Sequence, residues 1–268
     1  MTEPVLSVVI LTWNSRPLLE GCLAALPAAT APLASETIVV YNRSRDATGD
    51  LLTSRSDIVT IRNPRNRGVA PARNQGLRCA RGDFVALLDV DTVPAPGAFA
   101  TLIAHLREAP RVGLVGPKLV GPDGGLQYSC RRFPTVLDKL LRRLPERWGR
   151  AVADDVELRR WDHQSVRRVD YVIGACQCIR GAVLGSVGRL DERIFYGPED
   201  VDFCLRLWRA GHRVLYNPAA VVVHHEQRSA RRSVARYARH FGALWYFFRK
   251  HGYLFQRPAF AGSGRLAA

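Results

Sequence analysis

Apolar and polar positions follow two periods over the first 120 residues. Val5 to Leu11, Glu36 to Tyr41, Ile58 to Arg62, Phe84 to Asp89 and Val112 to Val115 are short β-rich apolar runs that read as strands. Between them lie segments with apolar residues at helical spacing. Arg16 to Leu26 carries Leu18, Leu19, Cys22, Leu23 and Leu26 on one face, with Ser15 as N-cap and Pro27 as its stop. A short helix capped by Asp46 or Thr48 runs through Leu52, and longer ones span Val69 to Ala80 and Ala98 to Arg107. Strand and helix alternate regularly, which predicts an α/β fold with a mostly parallel central sheet and helices on both faces.

The second half is looser. Residues 126–168 are polar and basic without a firm period. After them come a strand candidate at Val169 to Ile179, a short helix at Leu184 to Leu190 and a helix at Val201 to Ala210 that Gly211 ends. Two short strands, Val214 to Tyr216 and Ala220 to Val223, precede a long helix from Arg231 to Lys250.

Phe84 to Thr92 is the run around which candidate chemistry gathers. It is apolar until it ends in Asp89 and Asp91, and in open α/β sheets the ligand crevice lies at the carboxyl ends of strands. Carboxylates two residues apart point to one side of an extended chain and can hold a hard divalent cation and, through it, a diphosphate. A strand followed by a polar turn would use the same residues. Thr12 and Asn14 end the first strand, where a nucleotide would lie, although helix capping explains them equally well. Asn42-x-Ser44-x-Asp46 reads first as an Asx turn. Arg73 and Asn74 fall on the first turns of a helix, where the N-terminus favours anions, unless they sit on a solvated face.

Tyr196 to Asp202 sets three acids at the start of a helix, which the helix dipole favours. Asp202 is spaced to pair with Arg206. Glu199 and Asp200 are then left for chemistry, and a carboxylate beside a sugar hydroxyl can act as general base. His224 and His225 end another strand, where an imidazole can be structural or a third ligand to the Asp pair.

With 47% hydrophobic and 24% charged residues, the chain of 268 residues has the composition of a globular protein. The N-terminus lacks the basic n-region of a signal peptide, and no apolar stretch reaches the ~20 residues of a membrane span. Six scattered cysteines without a Cys-x-x-Cys pair fit reduced, mostly buried thiols in a cytosolic protein. Net charge is +15 and the pI is about 10.3, an excess that suits nucleic acid, anionic lipid or phosphorylated substrates. It is concentrated: residues 131–150 hold seven Lys/Arg against two acids, and residues 226–268 hold nine against one. In the second stretch Val234, Tyr237, Phe241, Leu244, Trp245 and Phe248 form a helical stripe among Arg231, Arg232, Arg236 and Arg239. That helix can lie in a membrane interface or pack its stripe onto the domain.

Taken in order, Ser7 to Asn14, Asn42 to Asp46, Asn66 to Gly76, Leu88 to Asp91, Gly188 to Glu192, Glu199 to Asp202 and His224 resemble glycosyltransferase family 2, in its bacterial rhamnosyltransferase-like branch. The resemblance runs from about residue 5 to about 250. It implies a GT-A fold over 1–225, with a nucleotide-binding half to about 120 and an acceptor half beyond it. A basic amphipathic helical extension follows over 226–268. It also implies a nucleotide-diphosphate-sugar donor, Mg²⁺ or Mn²⁺, and inversion at the anomeric carbon. By position, Thr12, Asn14, Tyr41 and Asp46 would line the nucleoside pocket, with Arg73 and Asn74 near the donor. Asp89 and Asp91 match the family's Asp-x-Asp, Asp200 with Glu199 beside it matches the catalytic base, and His224 or His225 matches a metal-site His. Tyr41 departs from the family, which usually has an Asp there in contact with the pyrimidine. A phenol can stack or donate one hydrogen bond but cannot act as that carboxylate does. The expected acceptor is a saccharide or polyprenyl-linked saccharide of the cell envelope, met by a peripheral protein at the anionic inner face of the cytoplasmic membrane. The alternatives are a catalytically impaired nucleotide- or saccharide-binding scaffold and, less in keeping with the motifs, a nucleic-acid-binding protein.

Overall fold

Alternation within the strands builds two cores. Leu6, Val8 and Ile10 face one side of the sheet with Ala86 and Leu88, while Val9 faces the other with Val85 and Leu87. The structure, a computed structural model, describes residues 3–142, 146–226 and 234–260. Its first half comprises β1 (Leu6–Thr12), α1 (Arg16–Thr30), β2 (Ser35–Tyr41), α2 (Thr48–Thr53), β3 (Val59–Arg62), α3 (Val69–Cys79), β4 (Phe84–Asp89), β5 (Thr92–Pro94), α4 (Ala98–Glu108) and β6 (Val112–Val120). There follow β7 (Leu126–Gln127), β8 (Cys130–Arg131), α5 (Val136–Leu141), α6 (Glu146–Val156), β9 (Arg167–Arg168), β10 (Tyr171–Val172), β11 (Cys176–Arg180), α7 (Val183–Val187), α8 (Glu199–Arg209), β12 (Arg213–His224) and α9 (Val234–His251).

The main sheet runs β3-β2-β1-β4-β11-β6-β12-β5, with β7 beside β6 and β9 beside β12. Helices α1 and α4 cover one face, and α3, α8 and α9 the other. The pairs β3-β2, β2-β1, β1-β4 and β6-β12 are parallel. Strand β11 is antiparallel to both β4 and β6, an antiparallel insertion in the mostly parallel sheet that the sequence predicts.

Several boundaries differ from expectation. Helix α1 continues past Pro27 to Thr30. A proline in the last turn removes one backbone donor, and the Thr30 hydroxyl donates to the Leu26 carbonyl at 2.9 Å as the turn closes. The stretch Val169 to Ile179 splits into β10 and β11 around Gly174. The two short strands at Val214 to Tyr216 and Ala220 to Val223 are one strand, β12, with a register shift between Asn217 and Val221. Residues 126–168 hold α5, α6 and three short strands. All six cysteines are free, and all but Cys79 are buried.

Helix α9 buries Leu244, Phe247 and Phe248 in the core and exposes Phe241 and Trp245. Arg231 and Arg232 lie outside the described residues, as do the side chains of Val234, Arg236, Tyr237 and Arg239. No described helix is long and apolar enough to cross a membrane. Asp202 on α8, fully buried, clamps α9: it takes hydrogen bonds from Arg206 at 2.8 Å and from Lys250, and lies 2.8 Å from His251 Nε2. Lys250 also reaches Asp191 at 2.8 Å, beside the Tyr246 hydroxyl at 2.7 Å from the same carboxylate oxygen.

Burial alone would raise the Asp202 carboxyl, but the hydrogen bond to His251 with Arg206 and Lys250 holds it below the usual range. Its folded pKa is thus below its unfolded value of about 3.9, so its contribution is complete well above that pH and disappears as pH falls through the folded value. Asp202→Ala leaves the partly buried Arg206 and Lys250 without their buried partner and is expected to lower unfolding free energy by about 3 kcal/mol at neutral pH. In urea titrations the gap from the parent protein should narrow in acid; a gap that widens there would contradict the ion-pair account.

Candidate active site

Three parallel strands end side by side. Thr12 is in register with Tyr41, and Leu11 with Asp89. The Thr12 hydroxyl is buried and has no hydrogen-bond partner among the described residues. Beyond it the chain cross-links the ends of β1 and β2. The Arg45 amide donates to Asn14 Oδ1 at 2.6 Å, and the Asn14 amide donates to Ser44 Oγ at 2.9 Å. Asp46 accepts the Thr48 amide at 3.2 Å and hydroxyl at 2.5 Å, and the Arg16 amide at 3.1 Å. The Tyr41 hydroxyl donates to the Ser44 carbonyl at 3.0 Å, and Arg62 lies 5.4 Å from its ring centre. The structure thus gathers Thr12, Asn14, Tyr41 and Asp46 at one edge, beside the main cleft rather than in its lining.

The cleft encloses about 440 Å³ between the ends of β4 and β12 and the start of α8. Its floor is held by Arg73, which is 2% exposed. This guanidinium donates to Asp89 Oδ1 at 2.5 Å and to the Gly174 carbonyl at 2.7 Å, and lies 4.0 Å from Glu199. Arg73 can reach so far because Gly174 has no side chain: a Cβ there would sit 2.8 Å from Nη1. Gly68, at φ +88°, lets α3 begin against the Phe195 carbonyl, which accepts the Val69 amide at 2.7 Å; a Cβ would fall 2.7 Å from that oxygen. Asn74 turns away from the cleft, its amide bonded to the Leu190 carbonyl at 2.8 Å and to Glu192 at 3.0 Å. It ties α3 to the segment ahead of α8.

Glu199 and Asp200 form the far wall. Asp200 takes the Gly174 amide at 3.0 Å and the Val201 amide at 2.8 Å. Glu199 is buried and takes the Gly197 amide. Burial raises both carboxyls, and the neighbouring Asp200 charge raises Glu199 further, while Arg73 opposes the shift at each. Opposite them, His224 Nε2 is 3.6 Å from Asp91 Oδ1, and its Nδ1 is 2.7 Å from Gln127 Oε1. That second contact orients the ring toward Asp91. His225 is exposed and gives its backbone amide to the Asp91 carbonyl at 2.8 Å, so the structure brings His224 and not His225 to the pair.

Among the described residues no three His, Cys, Asp or Glu side chains converge as a ready metal cage. Asp91 and His224 still suit a hard cation, because Mg²⁺ and Mn²⁺ usually take one or two protein ligands and complete their shell with water and substrate phosphates. Asp89 faces Arg73 instead. Sequence reasoning missed one wall. Arg131, Lys139, Tyr171 and His240 also line the cleft. The only signal was the basic density of 131–150, which carries no address.

Residues 7–172 match the family model for Glycosyl transferase family 2. The chain is 30% identical over 248 residues, 88% of its length and 80% of the relative's, to an N-acetylglucosaminyl-diphospho-decaprenol L-rhamnosyltransferase of Mycobacterium tuberculosis. A pre-mycofactocin glycosyltransferase from the same organism is 33% identical over 70% of this chain, which spans 37% of that protein. Among solved structures, a mannosyltransferase of Pyrobaculum calidifontis in complex with GDP-Man and Mn²⁺ is similar at TM-score 0.64 and 22% identity, covering 96% of this chain and 67% of that one. GalNAc-T7 with UDP, GalNAc and Mn²⁺ is similar at TM-score 0.66 and 19% identity, over 85% and 44% of the two chains. These likenesses make the fold GT-A.

Arg73→Met strands two carboxylates in the cleft floor and is expected to cost about 3–5 kcal/mol of stability. In a Glu199→Gln background the loss should be smaller, since one of those charges is gone. Chemical denaturation of the four proteins of this cycle measures the coupling; a coupling of zero would remove Glu199 from the Arg73 network.

Proposed function

This chain belongs to glycosyl transferase family 2, and on that premise we propose that it is an inverting, metal-dependent rhamnosyltransferase-like enzyme of cell-envelope polysaccharide synthesis. That it is a glycosyltransferase follows from the family and from relatives that share most of its length. The observation that carries the finer reading is that Asp200, Asp91 and His224 line one cleft. A donor diphosphate at the Asp91 end turns the anomeric carbon toward Asp200. The acceptor hydroxyl gives its proton to Asp200 as its oxygen bonds to that carbon, and the bond to the diphosphate oxygen breaks on the opposite face. A divalent ion held by Asp91 and His224 would supply charge neutralisation on the leaving diphosphate.

Asp89, fixed by Arg73, keeps lone pairs for the donor's ribose. The orphaned Thr12 hydroxyl and the edge with Asn14, Tyr41 and Asp46 take the nucleoside. Rhamnose as the sugar, and a diphospholipid-linked saccharide as acceptor, rest on likeness to the mycobacterial relative. Attachment to the inner membrane face is supported by exposed Leu137 and Leu140 on α5 and Phe241 and Trp245 on α9, since Lys139 on one helix and His240 and Leu244 on the other rim the cleft.

Asp200→Asn is expected to lower turnover by about 10²–10⁴-fold in sugar transfer from a panel of nucleotide sugars with Mn²⁺. Undiminished turnover would remove Asp200 as base. Asp91→Asn should lose Mn²⁺-dependent binding of nucleoside diphosphates.

The base must be ionised, so activity falls as pH drops through the raised Asp200 pKa. Arg131 holds Asp200 down, so Arg131→Gln removes a neighbouring positive charge and should move that acidic limb to higher pH. A limb that stays in place or moves down would contradict electrostatic coupling between the two.

A further inference from the structure

We propose that Arg131 and Lys139 form a phosphate subsite at the acceptor end of the cleft, built for a phosphate carried by the acceptor and distinct from the donor diphosphate site. The inference rests on the donor and base reading above and assigns the one wall of the cleft which that reading leaves without a task.

Lys139, on α5, is a half-buried cation that lines the cleft. Among the described residues its ammonium makes no hydrogen bond or ion pair. The carboxylates nearest in the fold are already engaged. Asp138, its neighbour on α5, caps that helix through the Thr135 amide at 2.7 Å and binds Arg257 at 2.9 Å. Glu157 binds Arg142 at 2.7 Å and Arg159 at 2.6 Å. Arg131, on β8, stands with Lys139, its Nε donating to the Tyr128 carbonyl at 3.2 Å, its Nη2 lying 4.0 Å from Glu157 and its guanidinium beside the buried Tyr171 phenol. The groups facing Lys139 are therefore Arg142 and Asp138 on its own element, Arg131 from β8, Asp200 from α8 and His240 from α9. Burial, with Arg142 and Arg131, pushes the ammonium down to about 8, because Asp200 and Asp138 offset them only in part.

Two converging cations, Lys139 with no ion pair among the described residues and Arg131 sharing Glu157 with Arg142 and Arg159, make a wall that an anion completes. The opposite end of the cleft carries Asp89, Asp91 and His224, where the donor diphosphate needs a metal. Asp200 lies between the two ends. A phosphate on Arg131 and Lys139 thus positions a sugar linked to it with a hydroxyl at the base. The wall also adjoins the exposed apolar positions of α5 and α9, where a lipid chain on that phosphate would leave the cleft.

The test is calorimetric titration of the full chain, its Lys139→Gln variant and its Lys139→Arg variant with farnesyl diphosphate, with farnesol, with inorganic diphosphate, and with dTDP or UDP plus Mn²⁺. In Lys139→Gln, farnesyl diphosphate affinity should fall by about tenfold or more, and Lys139→Arg should restore most of it. Nucleoside diphosphate affinity should change by less than about twofold, given its separate end of the cleft. Binding raises the Lys139 pKa, so at pH 8.5 the parent protein should take up protons on binding farnesyl diphosphate, seen as heats that vary with buffer, and Lys139→Gln should not. Unchanged farnesyl diphosphate affinity in Lys139→Gln overturns the subsite. So does farnesol binding as tightly as the diphosphate, inorganic diphosphate alone reproducing the full affinity, or an equal loss of nucleoside diphosphate binding, which would assign the wall to the donor. Failure of the parent protein to bind any nucleoside diphosphate with Mn²⁺ is a separate result, and it defeats the donor reading instead.

Discussion

The buried Arg73 guanidinium is the contact on which the cleft depends. A cation with 2% exposure is tolerable only if its charge is matched at close range. Asp89 at the end of β4 and Glu199 at the start of α8 supply that match, and the Gly174 carbonyl takes a further donor. The elements they sit on come from opposite halves of the chain. Arg73 thereby sets how far the strand end that carries Asp89 and Asp91 stands from the helix that carries Asp200. Gly174 serves both sides, since its carbonyl binds Arg73 and its amide binds Asp200. Satisfying the arginine and aiming the carboxylate are one geometric condition.

Helix α8 divides its acids by helical geometry. Glu199 and Asp200 begin the helix and face the cleft, while Asp202 points into the body and clamps Lys250 and His251 of α9. Helix-dipole capping would have been served by three exposed acids. The burial of Glu199 and Asp202 shows instead that each has a specific cationic partner. The clamp on α9 also matters to the cleft, because His240 and Leu244 of that helix form part of its rim. The aromatic stripe divides between faces: Leu244 and Phe248 pack inward beside Phe247, and Phe241 and Trp245 remain exposed.

The strands of the first half were legible because a strand buried on both faces is an unbroken apolar run, and Val8 to Leu11 and Phe84 to Leu88 are such runs. The antiparallel insertion of β11 was not legible, since periodicity reports burial and not the direction of a neighbour. Residues 126–168 looked patternless because long-range ion pairs hold their short elements. Arg257 reaches Asp138 and Asp155, and Arg142 reaches Glu157. No local period encodes such partners. The choice of His224 over His225 follows from strand alternation, which sends consecutive side chains to opposite faces, but sequence alone does not say which face is the cleft.

Tyr41 shows how a departure from the family's motif can leave architecture untouched. The end of β2 is held by the Asn14 contacts with Ser44 and Arg45, by Asp46 on Thr48 and Arg16, and by Asn42 with Asn63 and Asn66. None of these requires a carboxylate at position 41. The phenol adds its own bond to the Ser44 carbonyl, and its ring packs under Arg62. The turn keeps its shape with Tyr41 in place, and Asp200, Asp91 and His224 line the cleft, which Tyr41 does not. On the proposed reading, the substitution therefore acts on which nucleobase is held at the strand ends and leaves the geometry of sugar transfer to the Arg73 network.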